Sequence, residues 1–313
     1  MLRVRSTWLL GLLLVVQMGM AGSFPERPLT MIIGYAAGGS TDLQGRVLAQ
    51  ILEEQLGQPV IVNNLPGAGG AASAAMLASS LEQGYVFQFG GSSVVSIAPL
   101  LSPASFGVDN FTYVAGLSLE QPAFVTGATR GISDWPALLT YLRANPGQVY
   151  VSQAAEDRLI LRAIAKREGL HLRTVPTSGG AGMAPLVISG DAVFAYSGGT
   201  HTGYTESGEM RVLVSLADER LLGYPEAPTL RELGYTLGLH TMRIVMVPAN
   251  TPAEQVEVLA NALAVAVKDP RFIEVTEQRI RQPVIFMRGD EIKPMLLRQM
   301  HEYRALIDEI GLQ

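Results

Sequence analysis

The sequence predicts an α/β protein of two lobes, on three observations. Between Leu29 and Phe89 short apolar strands alternate with helical patterns. A second unit of the same rhythm runs from Val149 to Tyr196. In both units the strands end in loops of glycine, serine and threonine. Strand, helix, strand is the rhythm of a parallel sheet with crossovers, whose loops at the strands' carboxyl ends form a ligand crevice. Two such units in one chain argue for two lobes.

Leu29 to Gly34 reads as a buried strand, followed by Tyr35-Ala36-Ala37-Gly38-Gly39-Ser40-Thr41-Asp42. Gly38 and Gly39 permit backbone angles closed to other residues and let a ligand approach the main-chain N–H groups. Thr41 and Gln44 have the spacing of a capping box, which places the start of a helix near Asp42. The first N–H groups of that helix lack intrahelical partners and carry the positive end of its dipole, which suits a carboxylate or another small anion. Leu43, Val47, Ile51 and Leu52 recur at helical spacing, and Gly57 ends the run. Val60 to Val62 is a second strand, Asn63 to Gly70 a loop, and an alanine-rich helix passes through Met76 and Leu77. Tyr85 to Phe89 is a third strand, closed by Gly90-Gly91-Ser92-Ser93, where a second set of polar groups faces the first loop.

Tyr113 to Leu117 and Ala123 to Val125 are strands that leave this unit. Ser133 or Asp134 caps a helix holding Trp135, Leu138, Leu139 and Leu142, which Asn145-Pro146-Gly147 stops. The second unit comprises a strand at Val149 to Ser152, a helix around Ile160 and Ile164, and a strand from Leu172 to Val175. The loop Pro176 to Gly182, a helix to Ser189 and a strand from Ala192 to Tyr196 complete it. Val212 to Ser215 adds a strand, Leu230 to Leu233 a short helix and Ile244 to Val247 another strand. Thr251 then caps a helix with Pro252 in its first turn and Val256, Leu259, Leu263 and Val267 as its stripe. The last helix, through Ile292, Leu296, Tyr303 and Ile307, is amphipathic and packs on a lobe.

A chain of 313 residues that is 48% hydrophobic and 16% charged is folded and has room for a large core. Its charges are scattered, with no basic cluster along one element, which argues against nucleic acid as a partner. Arg3 and Arg5, an apolar run from Trp8 to Val16, and small residues at Gly19, Ala21 and Gly22 have the order of a secretory signal peptide over residues 1–22, cleaved near Ala21. Its removal leaves 21 basic against 28 acidic residues, a formal charge near −7. The chain has no cysteine, so disulfides, thiol catalysis and cysteine metal sites are all excluded.

His171, His201, His240 and His301 show no ligand spacing, so no metal or other cofactor is expected. Ala195-Tyr196-Ser197-Gly198-Gly199 follows a strand as a nucleophile elbow would, with His240 and His301 downstream as possible bases, but the first glycine of that motif is missing. Gly67-Ala68-Gly69-Gly70-Ala71-Ala72 fits a dinucleotide fingerprint, yet four residues separate it from the preceding strand, where the phosphate turn should begin directly.

Three stretches combine into a specific resemblance. Gly34 to Asp42, then Leu56-Gly57-Gln58-Pro59-Val60 with Asn64-Leu65-Pro66-Gly67-Ala68-Gly69-Gly70, then Gly84-Tyr85, resemble the Bug-type receptors of tripartite tricarboxylate transporters. The likeness continues through Val175-Pro176, Ser189-Gly190-Asp191 and Val247 to Pro252. It implies a type II periplasmic-binding-protein-like fold: two α/β lobes joined by two crossing strands, with a ligand cleft between them. Residues 23–122 with 245–313 would form the first lobe and 123–244 the second. The implied protein is a monomeric periplasmic receptor, without catalytic residues, that captures a small organic anion and hands it to membrane permease subunits. A periplasmic sensor that signals to a membrane partner, and a hydrolase using Ser197, are the alternatives.

Carried over from the family, the gripping positions are Gly38, Gly39, Ser40, Thr41 and Asp42, with Ser92 and Ser93 beside them. In the second lobe the chain departs from the family pattern. Ser152-Gln153-Ala154-Ala155-Glu156-Asp157-Arg158 stands in place of a loop ending in histidine, Thr177 in place of tyrosine, Ser197 in place of aspartate, and Met242-Arg243 in place of an aromatic pair. Gln153, Ala154, Thr177 and Ser197 are therefore expected at the ligand. Arg158 and Arg243 are expected to grip a second carboxylate through charge-assisted hydrogen bonds. The competing reading pairs Arg158 with Glu156 or Asp157 and leaves Arg243 solvated at a strand end.

Overall fold

The computed structural model describes residues 24–311. The expected signal peptide and its cleavage position lie outside the described residues. In chain order the elements are β1 (Leu29–Ile33), α1 (Ser40–Leu56), β2 (Val60–Asn64), α2 (Ala71–Ala78), β3 (Val86–Gly91), α3 (Ser93–Ser96), α4 (Ala98–Leu101), β4 (Phe111–Leu119) and β5 (Ala123–Gly127). They continue with α5 (Trp135–Ala144), β6 (Gln148–Ser152), α6 (Ala155–Glu168), β7 (Leu172–Pro176), α7 (Gly180–Ile188), β8 (Phe194–Ser197), α8 (His201–Glu206) and β9 (Met210–Ser215). The chain closes with β10 (Met242–Pro248), α9 (Ala253–Ala266), α10 (Pro270–Ile273), β11 (Val284–Arg288) and α11 (Gly289–Ile310).

Two mixed sheets result, ordered β11-β4-β10-β3-β1-β2 and β7-β6-β8-β5-β9. Within each repeated unit the strands pair in parallel, as β1 with β2 and β3, and as β6 with β7 and β8. Strands at the crossings add antiparallel pairs, β10 with β3 and β4, and β5 with β8 and β9. The chain passes from the first lobe to the second through Glu120-Gln121-Pro122 and returns after residues 216–241. Both crossings touch, since the Glu120 amide donates to the Thr241 carbonyl at 3.0 Å.

Alternation along the strands explains why both faces of each sheet are covered. Met31 and Ile33 enter the core beneath α1 and α9, whereas Ile32 enters the one beneath α2 and α11. Phe124 likewise packs with Trp135 and Tyr150 on one face of the second sheet, while Ala123 and Val125 join Met183 and Val187 on the other. The Asp134 carboxylate accepts from the Ala137 amide at 2.9 Å and caps α5. Asn145 follows the last helical residue.

Several expectations are corrected. α1 starts at Ser40 with Gly39 as its cap, two residues before the position expected, and no capping box forms. Gln44 instead donates to Ser118 Oγ and Thr276 Oγ1 in the interior. Leu230 to Leu233 forms turns and no helix. Thr251 does not cap α9, whose cap is Pro252. β10 begins at Met242, and Arg243 pairs with Gly91 and Ser118, so residues 242–244 belong to the first sheet and not to the second lobe. α11 packs along β4 and also reaches the second lobe, where Tyr303 and Ile307 join the core built on Trp135 and Ile160.

Candidate functional site

Between the lobes lies a cavity of about 20 Å³, lined by Tyr35, Gly39, Ser40, Thr41 and Arg243 of the first lobe, Glu120 of the crossing, and residues of the second lobe that include Gln153, Ala154, Glu156, Tyr196 and Thr200. That volume holds about one water. The lobes therefore meet in a closed arrangement.

Direct contacts hold them there. The Ala36 amide donates to the Ser178 carbonyl at 2.9 Å, and the Ser40 amide at the first turn of α1 donates to Thr200 Oγ1 at 3.2 Å. Gln282 Nε2 donates to the Gly198 carbonyl at 2.9 Å. Glycines permit this approach. A β-carbon on Gly69, which has φ +66°, would stand 2.7 Å from Ala154 Cα of the other lobe. Gly69 thus allows lobe contact, while Gly67 and Gly70 take positive φ angles of +156° and +93° within the turn, which accounts for all three without a dinucleotide.

On the first lobe, the loop before α1 is organised by Asp42. Its carboxylate accepts from the Gly38 amide at 2.9 Å, Arg46 Nε at 3.0 Å and Asn64 Nδ2 at 3.0 Å. Burial pushes the Asp42 carboxyl up, but these bonds outweigh burial and hold it below its usual range. Asp42 and Gly38 therefore shape the loop without lining the cavity, whereas Gly39, Ser40 and Thr41 line it. With Gly39 as an extended cap lacking a side chain, α1 begins at the gap, and its first amide, that of Ser40, is taken by Thr200 while the lobes are closed.

Arg243 is 3% exposed, so it is no solvated strand end. Its Nη2 lies 3.0 Å from Glu120 Oε1 and 3.3 Å from Ser40 Oγ. Gly91 beside it leaves room for the Glu120 carboxylate, since a β-carbon there would meet Glu120 Oε2 at 3.0 Å. Ser92 Oγ accepts from the Met242 amide at 3.2 Å and fastens β10, while the Ser93 hydroxyl is turned to Glu156.

In the second lobe Glu156, in the first turn of α6, is buried, and its Oε1 accepts from the Tyr196 hydroxyl at 3.3 Å. Burial first, then the charges of Glu120 and Asp157, raise the Glu156 carboxyl to about 8. Asp157 turns back on the strand end, accepting from the Gln153 amide at 2.6 Å, the Ala154 amide at 3.0 Å and Ser152 Oγ at 2.7 Å. Gln153 Nε2 donates to the Tyr196 carbonyl, and both Gln153 and Ala154 line the cavity.

Ser92 and Ser93, like Gly38 and Asp42, do not line the cavity, and three further expected residues lie elsewhere. Arg158, two positions and about 200° around α6 from Glu156, lines a separate groove with Ala98 and Ser102. Thr177 Oγ1 is engaged by the Ser152 and Gly179 carbonyls, at 3.3 and 3.4 Å. Ser197 points away from the gap that Tyr196 and Gly198 line; its Oγ meets His201 Nδ1 at 3.0 Å, with both residues fully buried. His201, and neither His240 nor His301, is thus the imidazole beside Ser197. Burial lowers it to about 3, and it packs against Tyr224. A hydrolase would need this pair open to substrate, and it is not.

Glu120, Tyr35, Glu156, Tyr196 and Thr200 were not expected at the site. The sequence signal for Glu120 is a lone charge between the apolar run ending at Leu119 and Pro122, where the chain changes lobes.

The Tripartite tricarboxylate transporter family receptor pattern matches residues 45–312. The chain belongs to this receptor family. The protein is 28% identical to a UPF0065 protein encoded in the gbd 5′ region of Cupriavidus necator, over 98% of this chain and 94% of that one. It superposes on the periplasmic binding protein BugD with a TM-score of 0.84 at 22% identity, covering 93% of this chain and 99% of that chain. It also superposes on MatC of Rhodopseudomonas palustris with bound malate, with a TM-score of 0.82 at 20% identity, over 91% of this chain and 100% of that chain. As a member of the receptor family it has the two-lobe type II binding-protein fold, and among its described residues no helix is long and apolar enough to cross a membrane.

Proposed function

We propose that this receptor is exported to the periplasm, captures a small organic anion bearing a carboxylate between its lobes, and delivers it to membrane permease subunits as a monomer. The observation that carries the reading is the start of α1, which borders the gap beside the Arg243 guanidinium and whose Ser40 amide, held by Thr200 in the closed form, is released to a ligand when the lobes part. Aligned amides and a helix dipole attract negative charge, and enclosure strengthens each hydrogen bond to it. The malate held by MatC supports a carboxylate, and the order of residues 1–22 supports export. The cavity of about 20 Å³ is smaller than any such ligand, so capture proceeds from a form with the lobes apart.

The test is a thermal-shift screen of the mature chain against mono-, di- and amino-substituted carboxylates, because a ligand that binds only the folded form raises Tm. At least one compound raises it, and Gly39→Leu abolishes the shift. A flat response from folded protein removes the reading.

A further inference from the structure

The charges around the gap select among carboxylates. Two acids line it, Glu120 and Glu156, against a single guanidinium, Arg243. Glu120 is 6% exposed; its Oε1 is paired with Arg243 at 3.0 Å, while its Oε2 is buried without a hydrogen-bond partner. Glu156 is 3% exposed; it accepts from the Tyr196 hydroxyl of its own lobe and faces the Ser93 hydroxyl of the other, with no cation paired to it. In the second lobe the amides of Gln153 and Ala154 already donate to Asp157 and are not open to an anion.

We infer that the ligand carries a protonated amine as well as a carboxylate, with the carboxylate on the Ser40 and Thr41 amides and the ammonium between Glu120 and Glu156. An ammonium supplies three donors, which match Glu120 Oε2 and the Glu156 carboxyl, and its charge is the cation that Glu156 lacks, so that Glu156 gives up the proton that burial and Glu120 make it hold. A dicarboxylate would bring its second anion against the Glu120 carboxylate in a dry, low-dielectric space, where like charges repel strongly, and would leave Glu156 without a cation. This inference rests on the reading of the gap as a solute site, and it goes further by excluding most of the compounds that reading alone admits.

Isothermal titration of the mature chain with matched pairs tests it: malonate against glycine, succinate against 3-aminopropanoate, glutarate against 4-aminobutanoate, with the twenty α-amino acids alongside. In each pair one terminal carboxylate is replaced by an ammonium at the same spacing. An amino compound is expected to bind at least tenfold more tightly than its dicarboxylate partner. In the Glu120→Gln/Glu156→Gln double variant that preference should shrink tenfold or more, while circular dichroism shows the fold intact. The wild-type panel decides even if the variant fails to fold. Tighter binding of a dicarboxylate overturns this inference and leaves the proposed carboxylate receptor standing. Binding of neither series overturns both.

Discussion

Lobe closure can be blocked at a single atom. In Gly69→Val the new β-carbon would lie 2.7 Å from Ala154 Cα and 3.1 Å from Ala154 Cβ, whereas carbon atoms in contact settle near ~3.5–4.0 Å. The obstacle is backbone of the other lobe, so the lobes must part by about an ångström. Parting forfeits the cross-lobe bonds from the Ala36 amide and Gln282, which a ligand on the Ser40 amide leaves in place. At about 1 kcal/mol net each, their loss weakens ligand binding roughly thirtyfold. Valine at a positive φ is also strained, by roughly 1–2 kcal/mol, in open and closed forms alike. Gly57→Val isolates that strain, because Gly57 has φ +67° and nothing within 4 Å of its β-carbon position. Titration calorimetry with the best carboxylate from the screen, together with small-angle scattering, separates the two effects. Gly69→Val should stay expanded on adding ligand and bind weakly, while Gly57→Val loses stability and keeps its affinity. Wild-type affinity and ligand-induced compaction in Gly69→Val would refute the closure argument.

Removing Arg243 leaves Glu120 buried and unpaired, so Arg243→Ala should cost about 3–5 kcal/mol of stability in urea unfolding, and Glu120→Gln in the same chain should return part of it. The pH dependence follows from Glu156, raised from 4.5 to about 8 by burial and by Glu120 and Asp157, with Asp157 itself raised by burial from 3.8 to about 6. The folded chain therefore holds protons that the unfolded chain has released, and stability falls as pH rises through the interval from about 4.5 to about 8. Tm measured across that range should decline, and Glu156→Gln should flatten the decline; an unchanged slope counts against the assignment. Trp135 is 2% exposed and stacks on Phe124 with ring centroids 5.6 Å apart, so Trp135→Ala should destabilise by roughly 3–5 kcal/mol, read by thermal unfolding.

The parts of the fold that were legible in sequence are those where a local pattern and a tertiary need coincide. Trp135, Leu138, Leu139 and Leu142 repeat at helical spacing behind the Asp134 cap, and all four are buried on one face of α5. β11 was not legible, because Val284 to Arg288 is an edge strand that pairs only with β4, and its half-exposed residues carry no strong alternation. The Thr41 and Gln44 spacing misled because Gln44 serves the interior through Ser118 and Thr276, groups 74 and 232 residues away along the chain. The same holds at the site. Ser40 and Thr41 stand out beside two glycines, whereas Glu120 acquires meaning only when folding sets it against Arg243 and Glu156. Arg158 and Ser197 were attractive for their chemistry, and helix rotation and strand alternation turn them elsewhere.

The final helix constrains the kind of motion this receptor can make. Because α11 runs along β4 and then plants Tyr303 and Ile307 in the opposite core, it spans the gap like a splint beside the two chain crossings. Separating the halves must slide its far end across α6, so the movement is a guided swing of limited amplitude about a fixed axle, and the resting opening is set by how far those two side chains travel before losing their socket.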